Sequence, residues 1–525
     1  MMKKQYILLA IILALTLSGL YAQDRKTPGT AHDNVFYPEV YEVYKNIGVQ
    51  MKYVPVGDYT ASSLYYRNTA GDLRQGQEAE SVQHVGISTR GLYRGKKIMF
   101  FGGIDIRKEY MDDQGWGLSY GGLRDGVMED PHYLAVARPA NWSNQYYELG
   151  GGFTLPVIAD RLDVSLEAEY DAFNKYRTDL DPRTEVTYNR LHFKTTVGYT
   201  FLEKHQLSAG GALGYFHVSN SAKFNNNGAN IPYNYDRYIR WVTGYGTMAN
   251  SASHAIKRRN THWSVVAGYS YQDTGWRLLC QFRYSGSRTD TFKDNSDDRY
   301  ASENIYGIYH TDEMENNLML LRFPDQDRAF KVHLSGIRRQ GDNFLTAKDG
   351  KNYTMEQTKL GLGASLIRYR DTRIRYDTGM TLTYLGVQQQ DRLSQTATDN
   401  SLLHAQLYFL KDYILNNSMI LTPGIKGGYR HTLDNMLANG SASYLGHITE
   451  SDYAGLALKR FYEDVVYHDH EIWSQNVWLA GAGVDLRFRE IRNFDLTLRI
   501  RTEVQQAVQT GMQRWTTGIA VVLDY

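Results

Sequence analysis

The sequence predicts an all-β protein: a transmembrane antiparallel β-barrel of about 18 strands (range 16–18), with short periplasmic turns and long extracellular loops. Three observations carry this. Apolar and polar residues alternate with period two over stretches of about 9–14 residues. That is the length a tilted strand needs to cross a bilayer, against about 5–6 in soluble sandwiches. These stretches are joined alternately by short turns and long polar segments. Finally, the 525 residues include 42 Tyr, against 18 Phe and 8 Trp. Tyr suits strands and membrane–water interfaces, where one end of the ring is wet and the other dry.

The bulk numbers exclude other classes. Lys and Arg total 58, Asp and Glu 57, for a formal charge of +1. That balance offers no global attraction to nucleic acid, and no nucleic-acid partner is expected. Mean hydropathy is −0.50, which argues against a helical membrane protein. Cys280 is the only cysteine, so neither an intramolecular disulfide nor a cysteine zinc site can form. No cofactor is expected.

At the start, Lys3 and Lys4 precede an apolar run from Ile7 to Leu17, too short to span a bilayer as a helix, and "GLYAQ" follows. Residues 1–22 therefore read as a secretory signal peptide. Residues 23–57 form a segment expected in the periplasm or tucked into the lumen; it is too short for the plug of a TonB-dependent transporter. The barrel is expected over residues 58–525.

Within it, strands are expected near 58–67, 79–94, 96–108, 144–157, 161–174, 188–202, 206–219, 260–272 and 275–288. Nine more are expected near 316–323, 328–339, 353–370, 373–387, 400–411, 416–431, 471–489, 493–506 and 512–525. "RLDVSLEAEY" puts Leu162, Val164, Leu166, Ala168 and Tyr170 on one face and Asp163, Ser165, Glu167 and Glu169 on the other. "FDLTLRIRTEV" does the same with Phe494, Leu496, Leu498 and Ile500 against Asp495, Thr497, Arg499 and Arg501. The fifteenth strand contains Pro423, where a ladder N–H is lost. The last, "RWTTGIAVVLDY", must close the ring against the first. A terminal strand of this form, ending on an aromatic, resembles the signal that barrel-assembly machinery reads.

The stretch "GDYTASSLYYRNTAGDLRQGQEAESVQHVGIST" (57–89), followed by "LYRGKKIMFFGG", resembles an uncharacterised family of bacterial outer-membrane β-barrel proteins found beside nutrient-uptake genes. The resemblance implies an outer-membrane location. It also implies partners such as a TonB-dependent transporter or a surface lipoprotein; outer-membrane lipid and a small solute or glycan are expected partners of the barrel itself. It brings no catalytic residues.

"HVSNS" (217–221) resembles the His-x-Ser-Asn-Gly motif of outer-membrane phospholipases, with Ser221 in place of Gly. His217 and Ser219 share an outward face at the outer rim, and a His two residues from a Ser on one strand face can act as its base. The ordinary reading is a rim histidine beside a loop, and no enzyme is expected. "YHDHE" (467–471) offers His468 and His470 on one face of a strand entrance, with a solvated loop end as the ordinary reading and no metal expected. "DNSDDRYASEN" (294–304) lacks the Gly and bidentate Glu of a calcium loop.

If the apolar face meets lipid, Arg277, Arg283, Arg373, Arg375, Arg487, Arg489, Arg499 and Arg501 point into the lumen, opposite Asp163, Glu167 and Glu169. Such walls create a field across a water-filled pore, unless the charges pair with each other or with folded-in loops. The segment 220–246 carries Tyr233, Tyr235, Tyr238 and Trp241 among asparagines. Those aromatics suit sugar stacking or a protein partner, or else a self-packed loop capping the barrel. Three functions stay open: a passive channel or uptake-associated barrel, a plugged accessory barrel in an outer-membrane complex, and a lipid hydrolase.

Overall fold

The computed structural model describes residues 43–54, 58–158, 161–224, 236, 238–250, 254–293, 302–325, 327–370, 373–491 and 494–524. The expected signal peptide and most of residues 23–57 lie outside them.

Eighteen long strands form one closed antiparallel barrel. They are β1 (Tyr59–Gly71), β2 (Ser81–Arg94), β3 (Met99–Gln114), β4 (Ala140–Ile158), β5 (Leu162–Arg177) and β6 (Arg183–Phe201). Next come β7 (His205–Lys223), β8 (Ala255–Gln272), β9 (Trp276–Lys293), β10 (Ile305–Asp325), β11 (Arg328–Leu345) and β12 (Gly350–Arg370). The last are β13 (Arg373–Asp391), β14 (Thr396–Lys411), β15 (Met419–Asn439), β16 (Val477–Ile491), β17 (Phe494–Ala507) and β18 (Gln513–Asp524). Each pairs with the next. The ring closes where β18 pairs with β1, from Ala61↔Asp524 to Gly71↔Arg514. Among the described residues no helix is long and apolar enough to cross a membrane.

The alternation explains the architecture. Outward positions carry Leu213 (70 % exposed), Leu407 (65 %), Ile425 (65 %) and Phe193 (55 %). An apolar belt round a whole barrel far exceeds the patch a water-soluble surface tolerates, so its solvent is lipid. Trp478, Trp515 and Trp276 are exposed near strand ends, as an interfacial girdle requires.

Several strands are longer than expected. The tenth, expected at 316–323, runs Ile305–Asp325, and the fifteenth, expected at 416–431, runs Met419–Asn439. Above the membrane both faces of a strand are polar, so period two fades while the backbone ladder continues. The sixteenth strand differs in kind. Residues 471–474, expected as strand, belong to the helix His468–Ser474, and β16 begins at Val477. Pro423 lies in a gap: pairing of β15 with β14 ends at Leu410↔Gly424, and the short strand Tyr413–Asn416 pairs from Leu421.

The interior is filled at both ends. Towards the inner mouth, Tyr44, Met51 and Val54 cluster with Leu92, Met99 and Phe101 on one wall and with Leu279, Leu321, Phe323 and Ile367 on the other. Towards the outer mouth, the connections β3–β4, β7–β8 and β15–β16 fold inward together as a cap.

Candidate functional site

The inner segment, residues 43–54, is held to the lumen wall by polar groups. Its 3-10 turn, Gly48–Tyr53, lies against β4 to β9. The Val49 N–H donates to Thr196 Oγ1 at 3.1 Å. Buried Gln50 donates to Ser208 and Ser270, each at 3.3 Å, and accepts from Gln281 Nε2 at 2.7 Å. Lys52 pairs with Asp163, and Lys194 pairs with Glu167 at 2.7 Å while donating to the Lys45 carbonyl at 3.1 Å. The small face of Gly48 lets this segment approach β5, since a Cβ there would meet Glu167 Oε1 at 2.1 Å.

The cap is built as a core of its own. Strands His132–Ala135, Arg240–Thr243 and Met248–Asn250 form a small sheet across the mouth. Leu118, Leu134 and Trp241 bury against β4 to β8, Val127 and Trp473 against β10 to β14, and Ile472 against Val477 and Ala507. Arg258 of β8 and Asp130 of the cap form an ion pair of 2.8 Å with both side chains fully buried. Such a pair resists separation, because a buried charge left alone costs about 3–5 kcal/mol. His132 beside it meets Thr291 Oγ1 at 3.3 Å and Asn343 Nδ2 at 3.2 Å, and burial lowers its pKa to about 4, so its ring is neutral. Asp391 accepts from the Tyr245 and Thr247 N–H groups at 2.8 and 2.9 Å, pinning a turn whose Gly246 has φ +125°.

Beside the segment, the lumen wall carries an open concavity of about 270 Å³ against β2 to β6. Lys45 of the segment lines it, with Arg90, Asp105, Glu148, Glu169, Asp171 and Arg190 from the wall. The charges nearly balance. Arg107 reaches Glu148 at 2.6 Å and Asp105 at 3.2 Å, Arg190 Nε donates to Asp171 at 2.5 Å, and His192 meets Glu169 at 3.4 Å.

The expected lumen residues fall as follows. Asp163, Glu167 and Glu169 are on the inward face of β5, each with a cation or histidine partner. Arg283 pairs with Glu315 and, at 3.1 Å, with Glu313, which Arg124 of the cap also reaches at 2.8 Å. The Arg277 guanidinium lies 5.4 Å from the Phe323 ring centre. Arg499 and Arg501 share one carboxylate, Asp485, at 2.9 and 3.8 Å, and the Arg501 side chain keeps 61 % exposure inside the barrel. Arg487 and Arg489 alternate with the outward Leu486 and Phe488 of β16, and Arg375 is exposed near the inner end of β13. The Arg373 side chain lies outside the described residues.

Other candidates separate. Tyr233 and Tyr235 lie outside the described residues. Tyr238 stacks under Arg240 at 5.8 Å. Trp241 is not an exposed contact: it is 4 % exposed and packs edge-on against Tyr306 at 4.4 Å, because its strand is part of the cap. His217 and Ser219 do share the outward face of β7, and their directly paired cross-strand positions are Asn189, Arg259, Thr187 and Lys257. His468 and His470 are on a helix, where residues two apart diverge, and His468 Nε2 meets the Arg74 carbonyl at 2.9 Å. Among the described residues no group of three or more His, Cys, Asp or Glu is placed to hold a metal ion. The stretch 294–301 lies outside the described residues. Sequence reasoning missed Asp130, Arg258 and His132, whose meeting depends on loops converging from separate hairpins.

A family model described as a family of unknown function, DUF6850, matches residues 48–525. The chain belongs to that family. The barrel resides in the outer membrane, as the lipid-facing belt of this closed 18-strand ring requires. No curated protein matches the chain in sequence. Among solved structures it is similar to BauA, the ferric preacinetobactin receptor from Acinetobacter baumannii, at 7 % identity and TM-score 0.38, over 89 % of this chain and 80 % of that one. It is also similar to the alcaligin outer-membrane receptor FauA from Bordetella pertussis, at 8 % and 0.41, over 89 % and 76 %. A third is a TodX mutant, a monoaromatic hydrocarbon channel, at 11 % and 0.33, over 92 % and 93 %. Likeness at this level assigns no ligand to this chain.

Proposed function

We propose that the protein is an uptake-associated outer-membrane barrel, closed at rest, whose lumen concavity holds a small, net-neutral polar solute. The carrying observation is this concavity of about 270 Å³ on the lumen wall, bordered by Lys45 of the segment, with near-balanced charges on its walls. A lone anion would face four carboxylates and a lone cation the arginines, whereas a sugar or zwitterion satisfies both. The segment's polar attachment supports an inner gate that can be exchanged for solute or partner contacts. The cap's buried ion pair favours a second reading, a permanently plugged accessory barrel working with a TonB-dependent transporter or a surface lipoprotein.

Equilibrium dialysis of the purified barrel against labelled monosaccharides, amino acids and dicarboxylates separates the two. Retention of neutral or zwitterionic solutes, lost in Arg190→Ala, is expected. No retention of any solute leaves the accessory barrel as the better account.

A further inference from the structure

On its outside, above the apolar belt, the barrel carries a concavity of about 550 Å³ spread over β10 to β15. Two adjacent cross-strand rungs line it. One runs Asp312, Gln340, Glu356, Gln388, Asp399 and Met436, each directly opposite the next. The rung above runs His310, Asp342, Thr354, Gln390, Ala397 and Ala438. These positions continue the outward face. Met314, Leu334, Leu360, Met380 and Leu407 are exposed lower on the same strands, in phase with the groove residues. The groove therefore begins about 7 Å above Met314, two residues along its strand, at the outer surface of the membrane.

The first rung alternates carboxylate and carboxamide across five strands. Like charges directly opposite each other destabilise a sheet, and the amides separate them. Gln388 Nε2 donates to Asp399 at 2.9 Å and Gln340 Nε2 to Glu356 at 3.3 Å. Arg338 also pairs with Glu356 at 2.8 Å, and Lys351 with Asp342 at 3.1 Å. Each amide is thus oriented with its carbonyl oxygen and one N–H still unspent, beside carboxylates with acceptor sites to spare. The result is a repeating array of acceptors and donors at about 4.8 Å, the strand spacing.

We propose that this groove binds a neutral, hydroxyl-rich glycan lying across the strands. Hydroxyls both donate and accept, so a sugar chain satisfies carboxylates and amides together. With Glu356 and Asp342 paired to Arg338 and Lys351, the lining keeps the net negative charge of Asp312 and Asp399, which disfavours phosphate-bearing headgroups and leaves the uncharged part of a surface saccharide or a free oligosaccharide as the source. The exposed side chain of Met436, 64 % accessible, supplies an apolar contact for a sugar ring face at one end. The site does not depend on whether the lumen opens.

The test uses the purified full-length barrel with an array of neutral hexose oligosaccharides, with purified outer-membrane lipopolysaccharide in bilayer discs, and with oligolysine. Binding of neutral glycans, free or lipid-linked, is expected, weakened about tenfold or more in Gln388→Ala/Asp399→Ala, since the pair removes an amide and a charged acceptor of hydroxyl hydrogen bonds together. Arg499→Gln, inside the lumen, should bind as the wild type does. Heat-modifiable migration on gels verifies that each variant forms a barrel. The free and lipid-linked arms identify the source. Binding of oligolysine without neutral glycan makes the groove a protein-docking surface and overturns the proposal; so does equal binding by the double variant, or no glycan binding at all.

Discussion

Asp469 lies at the joint between the helix His468–Ser474 and the turn after β1. Its carboxylate accepts the Gly76 N–H at 2.8 Å and Gln75 Nε2 at 3.2 Å, yet burial raises its pKa to about 7. An acid whose folded pKa is raised binds its proton more tightly folded than unfolded. The stability it contributes is fully present below its unfolded value of about 3.9 and is lost as pH rises through 7. Proteolysis of the cap at residues 440–476 should therefore accelerate several-fold between pH 5 and pH 8. Asp469→Asn should flatten that dependence, and an unchanged slope would remove Asp469 from the explanation. The same residues show what was legible at this scale. "YHDHE" alternates like a strand over five residues, too few to tell a strand from one helical turn. By contrast Ile500 and Arg501 were legible, because their strand alternates along its length. Ile500 is 54 % exposed on the lipid face opposite Ile519, whereas Arg501 faces inward. Ile500→Arg should cost about 2–4 kcal/mol and cut the assembled fraction on heat-modifiability gels, while Arg501→Ile should assemble. Equal assembly of the two would refute the assigned faces.

At the scale of elements, the barrel strands and their inner turns were readable, and the cap was not. Alternation reports a surface with lipid on one side and water on the other. It falls silent where β10, β12 and β15 rise above the membrane, and it cannot show that three distant loops meet in one core. Trp116 illustrates this. Its indole donates to Asp464 at 3.1 Å and packs on Phe461 at 5.4 Å, partners that lie more than 300 positions away and carry no shared pattern. The inner segment lies between these cases: its length allowed it to enter the lumen, but not its seat. That seat depends on Gln50 and Lys52. Gln50→Ala/Lys52→Ala takes from Gln281 its contact with Gln50 and from Asp163 its cation, while Gln281 keeps Val43 and Asn46 and Asp163 keeps Gln206, a loss of about 1–3 kcal/mol in all. A protease site engineered at residues 43–54 should then be cut from the inner side in reconstituted barrels, where the wild-type seat protects it. Protection equal to wild type would show that the apolar contacts of Tyr44 and Met51 suffice.

For the whole molecule, eighteen strands enclose more volume than a 12-residue segment fills, so the question is whether water-filled space connects both sides. The solvated Arg501 and its neighbour Arg499, both reaching Asp485, mark an interior sector where water remains. A dry lumen would demand full pairing of such charges. Cap and segment, not the wall, are therefore expected to decide whether the barrel conducts. In planar bilayers the wild type should show no steady open level. Removing residues 43–54 and shortening the loop 115–139 should produce conductance steps. In that opened form, Arg499→Gln/Arg501→Gln should move the reversal potential in a salt gradient towards cation preference, more at low salt, because the Debye length grows from about 10 Å at 0.1 M to about 30 Å at 0.01 M. Steady conductance by the wild type would mean that the cap leaves a through-path. An opened form whose selectivity ignores the two arginines would place the conducting route along another wall.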